Sequence, residues 1–282
     1  MTNTLKTTLL LGVLSGLFLL IGEVLGGAQG VIIAFLFAAV TNLVSYWFSD
    51  RIVLAMYHAK EVGSGHPLFQ LVAELAQRAQ LPMPRVYVIP DSSPNAFATG
   101  RNPSHAAVAA TEGILQVLDR EELAGVLAHE LAHVLNRDVL VTTVAAMIGA
   151  AITAVAHFLQ FSWLFGGDED ESPLGIIGTI AAILIAPIAA MILQLAVSRQ
   201  REYLADATAA RMLGTGEPLA QALENLDRGR QALPMQVNPA TEALYIVNPF
   251  NGKGMTALFS THPPLEERVA RLREYDRNRG FA

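Results

Sequence analysis

Four apolar segments approach or exceed the length that a helix needs to cross a membrane, and they constrain the fold of this chain most. They cover residues 7–21, 31–48, 139–165 and 174–197. A helix of about 20 apolar residues spans the ~30 Å hydrocarbon core of a bilayer. A mean hydropathy of +0.39 and a charged fraction of 16% agree with this, since both are unusual for a soluble protein. The sequence therefore predicts a mainly α-helical integral membrane protein with about four transmembrane helices.

Charges at the ends of these segments predict their orientation. The turn at residues 22–30 has no lysine or arginine, and the loop at 166–173 has four acidic residues and no basic one. The opposite ends carry the basic residues Lys6, Arg51, Lys60, Arg137, Arg199 and Arg201. By the positive-inside rule we expect the basic ends, and with them both long polar blocks, to lie in the cytoplasm.

The alternation of apolar and polar segments divides the chain into four parts. Residues 1–50 and 139–197 are expected to form two transmembrane hairpins, and residues 51–138 and 198–282 two cytoplasmic parts of one domain. A cleaved signal peptide is the alternative for the first segment, but a second apolar segment follows after only a short loop.

Composition excludes several functional classes. The chain has no cysteine, which excludes a disulfide framework and leaves histidine and carboxylate as the strong metal ligands. Its net charge is −6 and its basic residues are not clustered, so we expect no nucleic-acid partner.

The pentapeptide His129-Glu130-Leu131-Ala132-His133 lies just before the third apolar segment. Helix positions four apart share one face, so both imidazoles can reach one metal ion while Glu130 lies beside them. Asp119 and Glu122 have the spacing of a capping box that begins this helix, and whether it continues into the apolar segment stays open. Its predicted buried face consists of Leu123, Val126, Leu127, Leu131 and Val134. This is the HExxH motif of zinc-dependent proteases, although two histidines without a metal remain the alternative.

A catalytic zinc site needs a third protein ligand. The metzincin pattern is excluded, because it would require glycine and histidine where this chain has Asn136 and Val139. Glu202 is the best candidate, since it follows the fourth apolar segment on the predicted side of His129. The alternative for Glu202 is a surface ion pair with a neighbouring arginine, Arg199 or Arg201.

Asp206 lies four residues after Glu202, on the same helix face. We predict that its carboxylate accepts the second ring proton of a zinc-binding histidine and so fixes the tautomer. The alternative is a solvated helix charge.

The polar blocks carry the pattern of a small α+β domain. Helices are predicted near 66–80, 198–211 and 264–277, and strands at 85–89 and 106–111. Residues 90–100 predict a turn-rich link, and residues 231–259, with several prolines and glycines, a mobile loop. Together with the His, His and Glu candidates, this pattern predicts a gluzincin-like zinc metalloprotease domain.

Four motifs spread over the chain resemble those of one family, the HtpX-type membrane heat-shock metalloproteases, which are related to the CAAX prenyl-protein endopeptidases. They are VLAHELAH at 126–133, REYLAD at 201–206, NAFATG at 95–100 and STHPPLEER at 260–268. The resemblance implies a zinc endopeptidase of the cytoplasmic (inner) membrane, with one Zn²⁺ per subunit and its site facing the cytoplasm. It also implies quality control of damaged or misassembled membrane proteins, with unfolded or membrane-protein polypeptides and the lipid bilayer as partners.

The resemblance also implies roles for single residues. Glu130 is expected to act as the catalytic base, and His262 to bind substrate or the developing oxyanion. Arg268 and Asn95 are expected to contact substrate, and an edge strand near 105–110 to pair with it. The alternatives are that His262 caps the last helix and that Asn95 only shapes its turn. For His157, in the third apolar segment, we favour no functional role.

Two other functions are compatible with the motifs. A CAAX-type endopeptidase would need a larger membrane chamber than four segments supply. A non-enzymatic membrane scaffold with a structural metal would have no need of a base such as Glu130. The oligomeric state stays open.

Overall fold

A computed structural model of the chain describes residues 3–144, 199–232 and 263–279. Its helices are α1 (Asn3–Met56), α2 (Pro67–Arg78), α3 (Glu112–Val117), α4 (Arg120–Leu135), α5 (Arg199–Leu213), α6 (Glu217–Ala232) and α7 (Leu265–Arg279). Its strands are β1 (Lys60–Glu61), β2 (Arg85–Ile89), β3 (Ala96–Gly100) and β4 (Ala106–Thr111). The predicted third and fourth transmembrane segments, apart from residues 139–144, lie outside the described residues, as do His157, His262 and most of the predicted mobile loop.

Helix α1 reverses direction at Gly27, where φ is 54° and ψ is −141°. Asn42 donates a hydrogen bond to Ser15 at 2.8 Å, so the two halves of α1 run antiparallel. The halves approach closely near the reversal, where a Cβ on Gly22 would lie 2.5 Å from the carbonyl oxygen of Gly30. Glycine is required there because the backbones touch.

One stretch of α1, Gly27–Val44, is the single helical span among the described residues that is long and apolar enough to cross a membrane. Its mean hydropathy is 1.9 and only 6% of it is buried within the protein. The preceding stretch, Leu5–Leu20, is apolar but shorter. Large apolar side chains such as Ile33 and Phe35 are therefore exposed on α1, as expected for a helix that faces lipid.

The four described strands form one mixed sheet in the order β1-β2-β4-β3. β2 and β4 have the predicted bounds and pair in parallel, whereas β3 pairs antiparallel with β4. Residues 96–100 were expected to belong to a turn-rich link, and this expectation was wrong. The alternation of the NAFATG segment is hidden by its small residues, and pairing with β4 makes it a strand.

The position of β3 also corrects the predicted edge strand. β4, which covers most of the predicted range 105–110, lies between β2 and β3 and is central. The edge of the sheet on this side is β3. The backbone groups of residues 106–110 are therefore used within the sheet, whereas β3 pairs with β4 on one side only.

The sheet separates two apolar layers. On one face, Phe97, Ala107 and Ala109 pack against Val53 and Leu54 at the end of α1. On the other face, the main core contains side chains of α2, α4 and α6 together with Ala96, Ala98, Ala106, Val108 and Ala110 of β3 and β4. The alanines of β4 let helices approach both faces closely, which brings the membrane-length helix and the HExxH helix to opposite sides of one sheet.

Helix α4 carries the HExxH motif and has the predicted capping box, since Asp119 accepts hydrogen bonds at its N-terminus and Glu122 reaches back to the N-cap amide. The helix ends at Leu135 and does not continue into the third apolar segment. Arg137 has φ 56°, and Asp138 N–H donates to the carbonyl of His133 at 3.2 Å. This Schellman-type ending turns the chain back towards His133 before residues 139–144 begin a new helical stretch.

Helix α6 was not predicted, although its sequence carries the signal. Apolar residues at helical spacing are buried in the core: Leu219, Ala220, Ala222, Leu223 and Leu226. They pack against α4, and Asn225 donates a hydrogen bond to Glu122 across the contact.

Replacement of Gly125 tests this contact. A Cβ on Gly125 would lie 2.6 Å from the backbone nitrogen of Leu219, so α4 and α6 would have to separate. We expect Gly125→Ala to lower the free energy of unfolding by about 1–3 kcal/mol. Gly229→Ala is the matched control, because a Cβ there meets nothing within 4 Å and should stabilise α6 by roughly 0.5–1 kcal/mol. Unfolding followed by circular dichroism measures both, and equal stability of the two variants would contradict the packing.

Candidate metal centre

The structure brings together the three residues that the sequence proposed as metal ligands. His129 and His133 project from adjacent turns of α4, and Glu202 from the first turn of α5. Their ligand atoms all lie within 4.8 Å of one another. His129 and Glu202 are almost fully buried, at 1% and 4% exposure, although both are polar. Buried polar groups are hydrogen-bonded, and buried charges are paired or coordinate metals.

The spacing of these atoms matches tetrahedral zinc. Ligands at ~2.0–2.1 Å from zinc, with tetrahedral angles, lie about 3.3 Å apart. The two Nε2 atoms are 3.1 Å apart. Oε2 of Glu202 lies 3.6 Å from His129 Nε2, and its Oε1 lies 3.5 Å from His133 Nε2. The donor set therefore fits zinc with little rearrangement.

A buried carboxylate and arginine lie behind His129. Its Nδ1 donates to Asp206 at 2.9 Å, and Arg268 donates to both carboxylate oxygens of Asp206 at 2.9 and 2.7 Å. Helix α7 thus supports the first histidine through α5. Asp206 was predicted for this position, whereas the contact with Arg268 was not.

A second carboxylate and arginine lie behind His133, and sequence reasoning missed them. His133 Nδ1 lies 3.2 Å from each carboxylate oxygen of Asp138. Arg201 donates to Oδ2 of Asp138 at 3.0 Å and to its backbone carbonyl at 2.9 Å. Arg201 precedes Glu202 directly, so α5 supplies both a candidate ligand and this support. The available signal was a carboxylate five residues after the second histidine.

Nearby positively charged groups keep the carboxylates of Asp206 and Asp138 ionised. Burial opposes ionisation of Asp206, but Arg268 outweighs it and lowers the pKa of this carboxyl to about 2. Burial of Asp138 is likewise outweighed by His133 and Arg201, which hold the pKa of this group below its ordinary value. Ionised carboxylates only accept hydrogen bonds, so each holds a proton on Nδ1 and leaves Nε2 to face the ligand cluster.

Glu130 lies beside the cluster and is attached to the edge strand. Ala98 N–H donates to Glu130 Oε2 at 2.9 Å. Burial raises the pKa of Glu130, against the lowering effect of the two histidines and of this hydrogen bond. A buried carboxylate with a raised pKa is suited to accept a proton.

The other predicted site residues lie elsewhere. Arg268 is 2% exposed and bonded to Asp206, so it lies behind the ligands, and its predicted contact with substrate stays a prediction. Asn95 is 2% exposed; its N–H donates to Oγ1 of Thr111 and its carbonyl accepts from the Thr111 N–H, which joins the start of β3 to Thr111. These bonds involve only the backbone of Asn95, so both predicted roles of its side chain stay predictions. His262 falls outside the described residues.

Comparison with known proteins decides the family. The sequence model of Peptidase family M48 matches residues 66–276, which include the ligand cluster and both supporting pairs. The chain belongs to this family. The match joins α4 and α5 in one M48 peptidase domain, although residues 145–198 between them lie outside the description.

Relatives across nearly the whole length of this M48 chain carry one name. This chain is 52% identical to the Protease HtpX homolog of Desulforapulum autotrophicum over 97% of this chain and 90% of the relative. It is 53% identical to that of Syntrophotalea carbinolica, over 96% of this chain and 98% of the relative. The resemblance inferred from the motifs is confirmed, and the family, the relatives and the ligand cluster identify a membrane metalloprotease.

A solved structure supports the fold of this M48 peptidase. The crystal structure of S. mikatae Ste24p matches with a TM-score of 0.51 and 23% identity, over 93% of this chain. The chain spans 62% of the length of Ste24p. At this identity the similarity shows a shared helical fold.

Proposed function

We propose that this protein is a zinc-dependent endopeptidase that hydrolyses peptide bonds in misfolded or damaged membrane proteins. One observation carries the proposal: His129, His133 and Glu202 converge with zinc spacing next to Glu130, which is itself bonded to the edge strand of the sheet. We propose one Zn²⁺ per subunit, held in a gluzincin-like arrangement. When bound, zinc polarises the scissile carbonyl and lowers the pKa of the attacking water.

Glu130 is proposed to take the proton of the attacking water and to deliver it to the leaving amine. The hydrogen bond from Ala98 orients the carboxylate without neutralising it. Removing a general base of this kind costs about 10²–10⁴-fold in rate in other enzymes.

The edge strand β3 is proposed to bind substrate in extended form. All five residues of β3 have partners on β4, and just before the strand the Thr111 N–H donates to the carbonyl of Asn95, so by alternation Phe97 and Thr99 direct their backbone groups towards β4. In an antiparallel pair, alternate residues direct both backbone groups away from the partner strand. The Ala98 N–H that reaches Glu130 points outward in this way, so backbone groups of β3 face the catalytic side. A substrate strand paired there would pass beside the metal ligands.

The two carboxylate–arginine pairs are proposed to position the histidines. Each fixes the tautomer and ring orientation of one ligand. Arg268 therefore acts through Asp206 in this proposal.

Asp138→Asn tests the second pair. The amide keeps the size of the side chain but no longer balances the charge of Arg201, and we expect zinc affinity to fall about 10–100-fold. Competition with a chromophoric chelator measures the affinity. Glu112→Gln, at an exposed carboxylate on α3, is the matched control. Unchanged affinity in Asp138→Asn would remove Asp138 from the site.

We further propose that the protein is a multi-pass protein of the cytoplasmic (inner) membrane, with its metal site facing the cytoplasm. The apolar helix in α1, the basic residues Lys6 and Arg51 near the two ends of α1, and the membrane-length segments at 139–165 and 174–197 support this topology. A site next to the bilayer suits membrane-protein substrates. The role in stress-related quality control follows the resemblance to HtpX-type proteases.

Cleavage by the purified full-length protein tests the function. We expect it to cut an unfolded membrane-protein substrate, to lose activity in a chelator and to regain it with added Zn²⁺. A prenylated C-terminal peptide is the comparison substrate for the CAAX alternative. Cleavage that resists the chelator would overturn the zinc mechanism, and preference for the prenylated peptide would overturn the substrate assignment.

A further inference from the structure

Apart from the metal centre, a cleft of about 320 Å³ lies on the face of the sheet opposite α4. α1 contributes Trp47, Phe48 and Arg51, and the sheet contributes Arg85 on β2 and Arg101 in the β3–β4 loop. This volume is at the lower end of the range for ligand clefts. The cleft shares no residue with the metal centre.

The cleft is strongly positive. Its one carboxylate, Asp50, accepts a hydrogen bond from Arg85 at 2.5 Å and is 13% exposed. Within the described part of the chain, Arg51 and Arg101 form no ion pair and lie over aromatic rings, Arg51 at 5.6 Å from the centroid of Phe48 and Arg101 at 4.5 Å from that of Trp47. Both guanidinium groups are thus held against aromatic rings, and no described carboxylate pairs with either; Arg101 also donates to the carbonyl of Trp47 at 3.5 Å. Guanidinium donors match the oxygens of phosphate.

The position of the cleft along α1 indicates which kind of anion it would bind. Trp47 and Phe48 follow the apolar stretch Gly27–Val44 within one helical turn and are 47% and 44% exposed. Aromatic residues at the end of a membrane helix lie at the level of the lipid headgroups. Arginines beside them face the phosphate layer, where anionic lipids concentrate negative charge.

We propose that this cleft binds the phosphate-containing headgroup of an anionic phospholipid, with Arg51 and Arg101 as donors and Trp47 against the lipid. A bound headgroup would connect α1 to the β3–β4 loop, and β3 holds Glu130 through Ala98. The inference rests on the proposed position of α1 in the membrane and not on catalysis.

Fluorescence of Trp47 tests the proposal. The chain has two tryptophans, so Trp163→Phe leaves Trp47 as the only one. We titrate this full-length variant in neutral detergent micelles with brominated phosphatidylglycerol or brominated phosphatidylcholine. Half-maximal quenching is expected at a lower mole fraction of the anionic lipid. Replacing Arg51 and Arg101 by glutamine should reduce this preference roughly fivefold for each arginine, and lysine should retain most of it.

The matched control replaces Arg78 and Arg120 by glutamine. Both are exposed, both pair with Glu74, and their replacement removes the same charge from residues that do not line the cleft. The control should keep the preference, and unchanged zinc content shows that each variant is folded. Equal quenching by the two lipids, or a preference that survives Arg51→Gln/Arg101→Gln, would overturn the lipid site without affecting the peptidase proposal. Displacement by glycerol phosphate at constant ionic strength would show a soluble phosphate ligand instead, and no quenching by either lipid would also reject the membrane position of α1.

Discussion

Glu130→Gln is expected to abolish cleavage while the protein still binds zinc. Glutamine has the shape of glutamate, and its amide oxygen can accept the hydrogen bond that Ala98 donates to Glu130 at 2.9 Å. It cannot take a proton from water at neutral pH, so we expect turnover to fall about 10²–10⁴-fold. Rates on the unfolded substrate and zinc content by mass spectrometry are measured on the same preparation.

Glu121→Gln is the matched control for this variant. Glu121 also lies on α4, in its first turn, and its side chain is exposed. The Glu121→Gln variant should cleave substrate at the wild-type rate. Normal cleavage by Glu130→Gln would contradict the assignment of Glu130 as the catalytic base. Loss of zinc together with activity would mean that Glu130 acts as a structural or metal-binding group.

Glu202→Ala is expected to remove most of the zinc affinity. Glu202 supplies the one carboxylate of the ligand cluster, with oxygens 3.5 and 3.6 Å from the histidine Nε2 atoms. Losing a direct ligand should cost more than the ~10–100-fold that loss of a supporting group costs. We expect activity to fall with metal content and to return only partly at high zinc concentration. Chelator competition gives the affinity.

Glu266→Ala separates the loss of a ligand from the loss of a carboxylate. Glu266 is exposed in the first turn of α7 and should leave zinc affinity unchanged. If Glu202→Ala bound zinc as tightly as this control, the third ligand would be another residue.

Local sequence patterns predicted the parts of the site that lie on one helix. The four-residue spacing of His129 and His133, and of Glu202 and Asp206, depends only on helical geometry. The start of α4 followed from Asp119 and Glu122 for the same reason. Strands β2 and β4 were predictable because their β-branched and apolar residues form short, bounded runs.

The missed features depend on contacts between distant parts of the chain. β3 exists because it pairs with β4, and its small residues give no strand pattern alone. Arg201 reaches Asp138 across 63 residues, and Arg268 reaches Asp206 across 62. Neither pair has a local signature, because the sequence around a charged helix residue is the same whether its side chain faces solvent or a buried carboxylate.

The sequence by itself determined the chemistry: two histidines and a glutamate on one helix, a carboxylate on another, and apolar segments of membrane length. Helical periodicity and transfer of apolar residues from water are local properties, so they can be inferred without coordinates. Only the tertiary structure decided which strand forms the edge, which arginine holds which carboxylate, and that Arg268 is buried behind the metal ligands. Those outcomes depend on packing and on pairing of buried charges between separate elements, and they exist only once the elements have assembled.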